Sequence, residues 1–325
     1  MPQTWFADAE PRATAFSVSH VCNNLSKHED TMAYAHMDDV VVVDATQSPY
    51  AAHKLPIVEK SLVHQVQICV LQGTAFIVAA TDLGAQIYDA KGDKRVFELA
   101  LKEHVGSVDE GTAVFCRGIA AIDSNRPAIA VGSAVGKIFV LAKEKASKAT
   151  ADHDFDVVEK LGEHKEAIQS MACSAKGGLL ASCDDSGTIL VRNPEDAFEV
   201  VHRIPGDNYP ATSLRFTPDG ALVGGYLSGL LRVFRGTDFH VHAEIAAHSR
   251  AVTAIDVSDD LVVSVGEDTF VNVWELSGKK EAPRIKLVSS HSVPNDLLTG
   301  VAFVGAKSII TAAYDTTHLK LWLPE

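Results

Sequence analysis

No apolar run in this sequence reaches the roughly 18 residues that a membrane-spanning helix needs, so we expect no membrane insertion. The first residues, 1–16, carry acidic side chains and no apolar core of a secretory signal, which favours a cytoplasmic location. Basic side chains are in deficit, because 29 Lys and Arg stand against 42 Asp and Glu, a formal net charge of −13. That balance argues against nucleic acid or an anionic membrane as the main partner.

Cysteine is scarce and shows no paired spacing. The five cysteines are widely separated, and none belongs to a Cys-x-x-Cys pair. An odd and dispersed set indicates reduced, mostly buried thiols rather than a disulfide framework or a zinc site. These residues are Cys22, Cys69, Cys116, Cys173 and Cys183.

Motifs that carry chemistry are also missing. The glycines form neither a G-x-G-x-x-G nor a G-x-x-x-x-G-K-[ST] phosphate loop, and no G-x-S-x-G nucleophile turn is present. His240 and His242 fall on one face of a strand, but no third ligand lies nearby, which favours an exposed pair over a metal site. We therefore expect no catalytic residue, no metal, no cofactor and no enzymatic activity.

The sequence does contain a repeat. Two short β-rich runs separated by a tight turn recur seven times, and an apolar run that can form a further strand precedes most copies. The paired runs are 31–36 with 40–44, 76–81 with 85–89, 128–133 with 137–141, 179–183 with 188–192, 221–225 with 230–234, 260–265 with 270–275, and 308–313 with 318–322.

One position near the end of each second run marks the period. Successive residues at this position are 40 to 53 apart, close to the roughly 40–45 residues of a four-stranded WD blade plus loop insertions. They are Val43, Tyr88, Leu141, Arg192, Phe234, Trp274 and Trp322. The spacing predicts an all-β fold, a single seven-bladed β-propeller that spans residues 1–325.

The two ends of the chain complement each other. The last copy stops three residues after Trp322, which leaves its sheet without an outer strand. Residues 14–19 show apolar alternation, and we expect them to supply that strand and complete the last blade.

A hydrogen-bonding set accompanies the best-preserved copy. His248, Ser264, Asp268 and Trp274 can form a chain from indole to hydroxyl to imidazole to carboxylate, with no polar end left unpaired. This set, called the tetrad below, resembles the WD repeat, whose closing Trp-Asp is here Trp274-Glu275. Two other copies keep parts of it: His164, Ser182 and Asp185 in copy four, and His291, Thr311, Asp315 and Trp322 in copy seven.

The resemblance to WD propellers also implies a binding face. In such propellers the loops leading into each blade and the turns between its middle strands gather around the central channel. Tyr and Arg are enriched in binding hot spots, and Tyr209 is the best individual candidate. The candidate face consists of Lys165, Glu166, Asn208, Tyr209, Ser249, Arg250 and Asn295.

Several strings, in matching order from about Val21 to Trp274, resemble one family, WD repeat-containing protein 54. They are residues 22–26 (CNNLS), 113–115 with 117–121, 203–206 (RIPG) and 266–271 (GEDTFV). The resemblance implies a non-enzymatic intracellular interaction protein, with a hint of cilium, flagellum or receptor signalling.

We therefore expect a non-catalytic scaffold that docks other proteins within an intracellular complex, either ciliary, cytoskeletal or signalling. The alternative is a small-molecule or modified-peptide binder that uses the central channel of the propeller. The sequence leaves the identity of the partner and the formation of homo-oligomers open.

Overall fold

The computed structural model describes residues 10–57, 59, 61–106, 113–143, 155–235, 238–279 and 282–324. Apart from one short α-helix, α1 (Lys102–Val105), and one 3-10 turn (Ala175–Gly177), the regular structure of this part is β-strand. No helix in these ranges is long and apolar enough to cross a membrane.

The first fourteen strands are β1 (Glu10–Ala13), β2 (Ser26–His28), β3 (Thr31–His36), β4 (Asp39–Asp44), β5 (Ala51–Lys54), β6 (Val63–Leu71), β7 (Thr74–Thr81), β8 (Gly84–Tyr88), β9 (Arg95–Ala100), β10 (Cys116–Ile122), β11 (Ala128–Ser133), β12 (Ile138–Ala142), β13 (Asp156–Leu161) and β14 (Ile168–Cys173). The remaining fourteen are β15 (Leu180–Asp184), β16 (Ile189–Asn193), β17 (Glu199–Ile204), β18 (Ala211–Phe216), β19 (Leu222–Tyr226), β20 (Leu230–Arg235), β21 (His240–Ala246), β22 (Val252–Ser258), β23 (Leu261–Gly266), β24 (Phe270–Lys279), β25 (Ala282–Ser292), β26 (Leu298–Val304), β27 (Ser308–Ala313) and β28 (His318–Trp322).

The strands form seven four-stranded antiparallel sheets. Blades one to six take four consecutive strands each from β2 onward, and blade seven has the order β26, β27, β28 and β1. The first strands of neighbouring blades contact one another, and β2 contacts β26, which closes the ring. The prediction of an all-β, seven-bladed propeller is confirmed. Its full extent over 1–325 stays a prediction, since residues 1–9 and 325 lie outside the described ranges.

All seven residues at the period-marking position lie on the third strand of their blades. Each pairs with a residue on the second strand of its blade, as Trp274 pairs with Val262 and Arg192 pairs with Leu180. Their relative exposure does not exceed 7%. The period in the sequence therefore records one buried site repeated around the ring, which accepts aliphatic, aromatic and even guanidinium side chains.

The hydrophobic core is divided among the seven junctions between blades. Each buried apolar cluster draws its side chains from two neighbouring blades, including the junction of blade seven with blade one. No blade can bury its faces alone, so burial of apolar surface stabilises the closed ring rather than any single sheet.

Ring closure by an N-terminal strand is confirmed, but the predicted position of that strand, 14–19, was wrong. The strand is β1, and Glu10 pairs with Leu321 while Ala13 pairs with His318. Ala15 has a left-handed φ of 65°, which ends the extended run. Residues 14–19 instead follow the last turn of blade seven, where the Thr14 and Val18 N–H groups donate to the carbonyl oxygens of Thr317 and Thr316.

Candidate functional site

The tetrad of blade six is assembled in full. His248 Nδ1 lies 2.8 Å from Asp268 Oδ1, and His248 Nε2 lies 2.8 Å from Ser264 Oγ. The indole Nε1 of Trp274 donates to the same hydroxyl at 3.0 Å. Asp268 also accepts the backbone N–H groups of Ser249 and Phe270, so the carboxylate ties the loop before the blade to its middle turn.

The donor and acceptor roles in this tetrad follow from its two ends. Because an ionised carboxylate can only accept, the proton of the imidazole lies on Nδ1 facing Asp268, so His248 Nε2 accepts from Ser264 Oγ, which in turn accepts from the indole N–H. Burial lowers the pKa of His248 below its ordinary value, although Asp268 opposes that shift. Burial alone would raise the pKa of Asp268, but the hydrogen bonds from His248 and two backbone N–H groups lower it. The result is a neutral imidazole beside an ionised carboxylate.

Blade four keeps a similar arrangement, with a correction to its acidic member. His164 Nδ1 lies 2.8 Å from Asp184 Oδ2, and His164 Nε2 lies 2.8 Å from Ser182 Oγ. The predicted acid, Asp185, was wrong. Strand β15 runs one residue further than expected and ends at Asp184, so Asp184 is the carboxylate that is directed inward, and the Asp185 side chain is 44% exposed.

The tryptophan position of blade four holds a buried cation. Arg192 is 1% exposed, and its guanidinium donates to Glu163 and to the carbonyl oxygen of Phe198. Glu163 directly precedes His164, so this ion pair holds the loop leading into blade four, which is equivalent to the loop that the tetrad holds in blade six. The guanidinium thus supplies donors where the indole is missing.

Blade seven keeps the indole end of the tetrad. Trp322 Nε1 donates to Thr311 Oγ1 at 3.0 Å, and the ring of His291 lies 5.6 Å from the indole ring. Asp315 is exposed, and its backbone N–H donates to the carbonyl oxygen of Val18. The structure therefore brings Thr311, Trp322 and His291 together and places the Asp315 side chain in solvent.

Loops and turns gather at one end of the ring. We define the loop face as the segments that lead into the first strand of each blade together with the turns between second and third strands. At Gly229, in the middle turn of blade five, φ is +84°, and an added Cβ would lie 2.4 Å from the carbonyl oxygen of His248 in the loop leading into blade six. Such close approach requires glycine there and fixes neighbouring segments against each other.

All seven residues of the candidate face lie on this loop face and are exposed to solvent. They are Lys165, Glu166, Asn208, Tyr209, Ser249, Arg250 and Asn295. Tyr209 is 51% exposed, and its backbone N–H donates to Asp207 at 3.2 Å. Asn208 and Asn295 adopt left-handed φ values of 69° and 71°, a conformation that asparagine tolerates better than most residues. Their backbones are thereby held in tight turns, with the side chains directed outward.

Six large apolar side chains are exposed in or directly beside the loop face. They are Met37, Leu62, Tyr209, Leu227, Phe270 and Tyr314. The other large apolar residues exposed in the described ranges lie on outer strands or after β28: Val158, Val201, Val241, Leu287 and Leu323. The outer-strand residues occur singly on separate blades, whereas Tyr209 lies close to Leu227, whose N–H donates to the carbonyl oxygen of Pro210.

A segment that sequence reasoning did not single out as a site crosses the channel at the loop face. Asn23 donates from Nδ2 to the carbonyl oxygen of Thr212 at 2.7 Å and from its backbone N–H to that of Thr253 at 3.0 Å. The backbone N–H of Asn24 donates to the carbonyl oxygen of Thr299 at 2.9 Å. These threonines are the extra residues of β-bulges at the start of β18, β22 and β26.

The only sequence signal for this segment was its CNNLS string. Its asparagine pair suits a turn, because asparagine tolerates the left-handed backbone that Asn23 adopts at φ 55°.

The opposite half of the channel mouth carries a row of polar and aromatic side chains. His64 Nε2 lies 2.6 Å from Asp82, and its ring stacks on Phe115 with centroids 4.5 Å apart. Arg117 Cζ lies 5.2 Å from the centroid of the Phe115 ring, and Arg117 Nη2 lies 3.8 Å from Asp185 Oδ1. Burial lowers the pKa of Arg117, and Asp185 opposes that shift.

The channel itself is narrow. Side chains from the first strands of all seven blades line a space of about 300 Å³, and its charged residues are Lys27, Arg215 and Asp256. Arg215 Nε lies 3.5 Å from Asp256 Oδ1. In the part of the chain that the structure describes, no group of three or more His, Cys, Asp or Glu side chains could hold a metal ion.

The ring of seven sheets and its Trp-Ser-His-Asp network define a WD-repeat β-propeller. A structural comparison agrees: a chain of the crystal structure of a mitotic checkpoint complex matches with a TM-score of 0.74 at 16% identity, covering 99% of this chain and 93% of that one. At that identity the likeness shows the fold alone.

The family is shown by the sequence. The model of the WDR54 family matches residues 19–322, and the chain belongs to that family. It is 29% identical to the human WD repeat-containing protein 54 over 94% of this chain and 95% of the relative. It is also 29% identical to the mouse protein of the same name, over 81% of this chain and 78% of the relative. The resemblance inferred from the short strings is confirmed.

Proposed function

We propose that the chain is a non-catalytic platform that binds other proteins in the cytoplasm through its loop face. The observation that carries this proposal is the set of six large apolar side chains exposed in or beside the loop face. Exposed apolar groups grouped on one face are typical of protein-binding surfaces. Membership of a WD-repeat family supports the same conclusion.

The architecture suits docking because the loop face is held rigidly. Tetrads, bulges and the Asn23 segment anchor its loops to the sheets, so little conformational freedom is lost when a partner binds. Tyr209 and Arg250 are 51% and 67% exposed and belong to the residue types most enriched in hot spots. A stiff ring with such anchors presents a preorganised surface.

The proposal of no catalysis rests on how the Ser-His-Asp sets found among the described residues are used. Ser264 is 0% exposed, and its hydroxyl accepts from Trp274 while it faces His248 Nε2. Ser182 is likewise 0% exposed and bonded to His164. A buried hydroxyl that is held between an indole or backbone group and an imidazole cannot reach a substrate, so these sets serve the fold.

The test is affinity purification with mass spectrometry on four variants. We expect Tyr209→Ala and Arg250→Glu to lose partners that the wild-type chain captures. The matched controls are Leu287→Ala on outer strand β25, with 45% exposure, and Arg126→Glu, exposed in the β10–β11 turn away from the loop face. The controls should keep the wild-type partners. Identical partner lists for wild type and both loop-face variants would overturn the proposal.

Location and assembly are separate parts of the proposal. Three of the five cysteines are buried and all five are free, which supports a reducing compartment such as the cytoplasm. A fluorescently tagged chain tests this location, and a ciliary, flagellar or cytoskeletal pattern would identify the complex more narrowly. Light scattering after size-exclusion chromatography distinguishes a monomer from a homo-oligomer.

A second candidate function is a small-molecule or modified-peptide site in the channel. The channel volume of about 300 Å³ favours it. Asn23 and Asn24, however, are bonded across the channel at the loop face, which closes that route to a peptide. We therefore rank the loop face first.

A further inference from the structure

We propose that the loop face carries a binding site for a cationic side chain, formed by His20, Glu267 and Tyr314. The cation that binds there is a Lys or Arg in a basic segment of a protein partner. This inference rests on the proposed function, since it assigns the partner chemistry of the same face. The three residues come from the segment that crosses the channel, from the middle turn of blade six and from the middle turn of blade seven.

The aromatic wall of this site is open to solvent. The rings of His20 and Tyr314 lie 5.3 Å apart with an interplanar angle of 49°. Tyr314 is 49% exposed, and the His20 side chain is 51% exposed. An aromatic face attracts a cation because its π-electron quadrupole places negative charge above the ring. Two exposed rings at this angle leave such a face available.

The carboxylate of Glu267 completes the site. It is only 29% exposed, and the cationic or polar nitrogens beside it are not in hydrogen-bond range: Arg250 Nε lies 3.6 Å away and His20 Nε2 lies 3.9 Å away. The Arg250 side chain is 67% exposed, so its pairing with Glu267 is a weak surface contact. A cation from a partner that approaches more closely than 3.6 Å can share this carboxylate with Arg250, whose other N–H groups stay available for contacts with the partner.

The backbone of the site is fixed before any partner arrives. The N–H of Glu267 donates to the carbonyl oxygen of Ala251 at 3.0 Å, and that of Tyr314 donates to Leu297 at 2.8 Å. On either side of His20, Ser19 donates to Ala35 and Val21 donates to Ser19, each at 3.0 Å. The segment that crosses the channel and two middle turns are thereby held at one place, which lowers the cost of binding.

The charge of the surrounding face matches a basic partner. Within the described residues of the loop face, twelve carboxylates stand against four Lys or Arg. Four cations from adjoining strands, Arg117, Arg192, Arg232 and Lys320, lie within 4.0 Å of carboxylates on this face. Counting them, the face still holds an excess of four carboxylates, so a basic segment gains long-range attraction as well as a local contact.

The test is selection of random linear peptides, displayed on phage, against the whole chain. We expect the selected peptides to share a Lys or Arg next to an apolar residue, and to bind more weakly as the salt concentration rises. A synthetic copy of the strongest peptide then serves as the probe in fluorescence anisotropy. Failure to select any peptide, or a shared acidic rather than basic position, would overturn the inference.

Substitutions locate the bound cation. Glu267→Gln should weaken binding of the synthetic peptide by about tenfold, because a charge-assisted contact is lost. Tyr314→Ala should weaken it by about threefold, while Tyr314→Phe, which keeps the ring face, should bind like wild type. Asp260→Asn, an exposed carboxylate in the β22–β23 hairpin away from the loop face, is the matched control and should have no effect.

The outcomes separate this inference from the proposed function. If peptides and partners are lost with Tyr209→Ala but bind Glu267→Gln and Tyr314→Ala as tightly as wild type, the proposal of a binding loop face stands and the cation site is excluded. If no loop-face substitution changes binding, both proposals are excluded.

Discussion

The side-chain amide of Asn23 donates a hydrogen bond of 2.7 Å to the carbonyl oxygen of Thr212, 189 residues further along the chain. Asn23 precedes blade one, and Thr212 is the bulge residue of blade five, so this bond spans the mouth of the channel. Asn23 is 5% exposed, and its neighbour Asn24 is 1% exposed. The segment thus acts as a crosspiece that links blades one, five, six and seven.

We expect Asn23→Gly to destabilise the propeller. Glycine adopts the left-handed φ of 55° without strain, so the change removes the side-chain bond while it keeps the backbone conformation. The carbonyl of Thr212 then loses a buried partner, at a cost of about 1–3 kcal/mol in the free energy of unfolding, measured by urea titration. Asn125→Gly, in an exposed turn, is the control and should cost much less. Equal losses for the two variants would contradict a crosspiece role.

In blade six, Asp268→Ala should lower the free energy of unfolding by about 1–3 kcal/mol, because it leaves the buried Nδ1–H of His248 without an acceptor. The corresponding pair in blade four supplies an internal control. Asp184→Ala should cost a similar amount, because Asp184 is the carboxylate bonded to His164. Asp185→Ala should cost little, because the Asp185 side chain is half-exposed and is not the acceptor of His164. An unchanged melting temperature for Asp268→Ala would speak against the tetrad.

Acid should weaken the fold through the two buried imidazoles. Burial lowers the pKa of His164 and His248 below the ordinary value of 6.5, although Asp184 and Asp268 oppose the shift. As pH falls below that value the unfolded chain takes up these protons before the folded chain does, so stability decreases from about pH 7 to about pH 5.

The measurement is the urea midpoint across that pH range for wild type and for the double variant His164→Gln with His248→Gln. The variant should be less stable at neutral pH but should show a shallower dependence on pH. Parallel curves would assign the pH dependence to other groups.

The three buried thiols should be unreactive in the folded protein. Burial raises the pKa of Cys116 and Cys183 to about 12. Burial also raises the pKa of the fully buried Cys69. Because the thiolate is the reactive form, a disulfide reagent should modify these three only after unfolding in guanidinium, when all five thiols react. Rapid reaction of more than the two half-buried thiols, Cys22 and Cys173, in the folded protein would contradict the burial.

Strand positions could largely be predicted from the sequence because apolar alternation marks a strand directly. The predicted runs 128–133, 308–313 and 318–322 coincide with β11, β27 and β28. Ends were harder to place, since hydrogen bonding rather than polarity decides where a strand stops. In blade four the predicted strands lay one residue too early in the sequence. Asp185 was therefore predicted as the acid of the tetrad in place of Asp184.

The sequence by itself determined the seven-bladed ring, its buried period position and the full tetrad of blade six. The strand pattern and the period position recur in every blade, so each copy supports the interpretation of the others. Only the tertiary structure decided which carboxylate serves His164, where the closing strand begins, and that Asn23 bonds across the channel. It also brought His20 on the channel-crossing segment together with Glu267 and Tyr314 in two middle turns. Such contacts join residues far apart in the chain, and their partners become neighbours only when the ring closes.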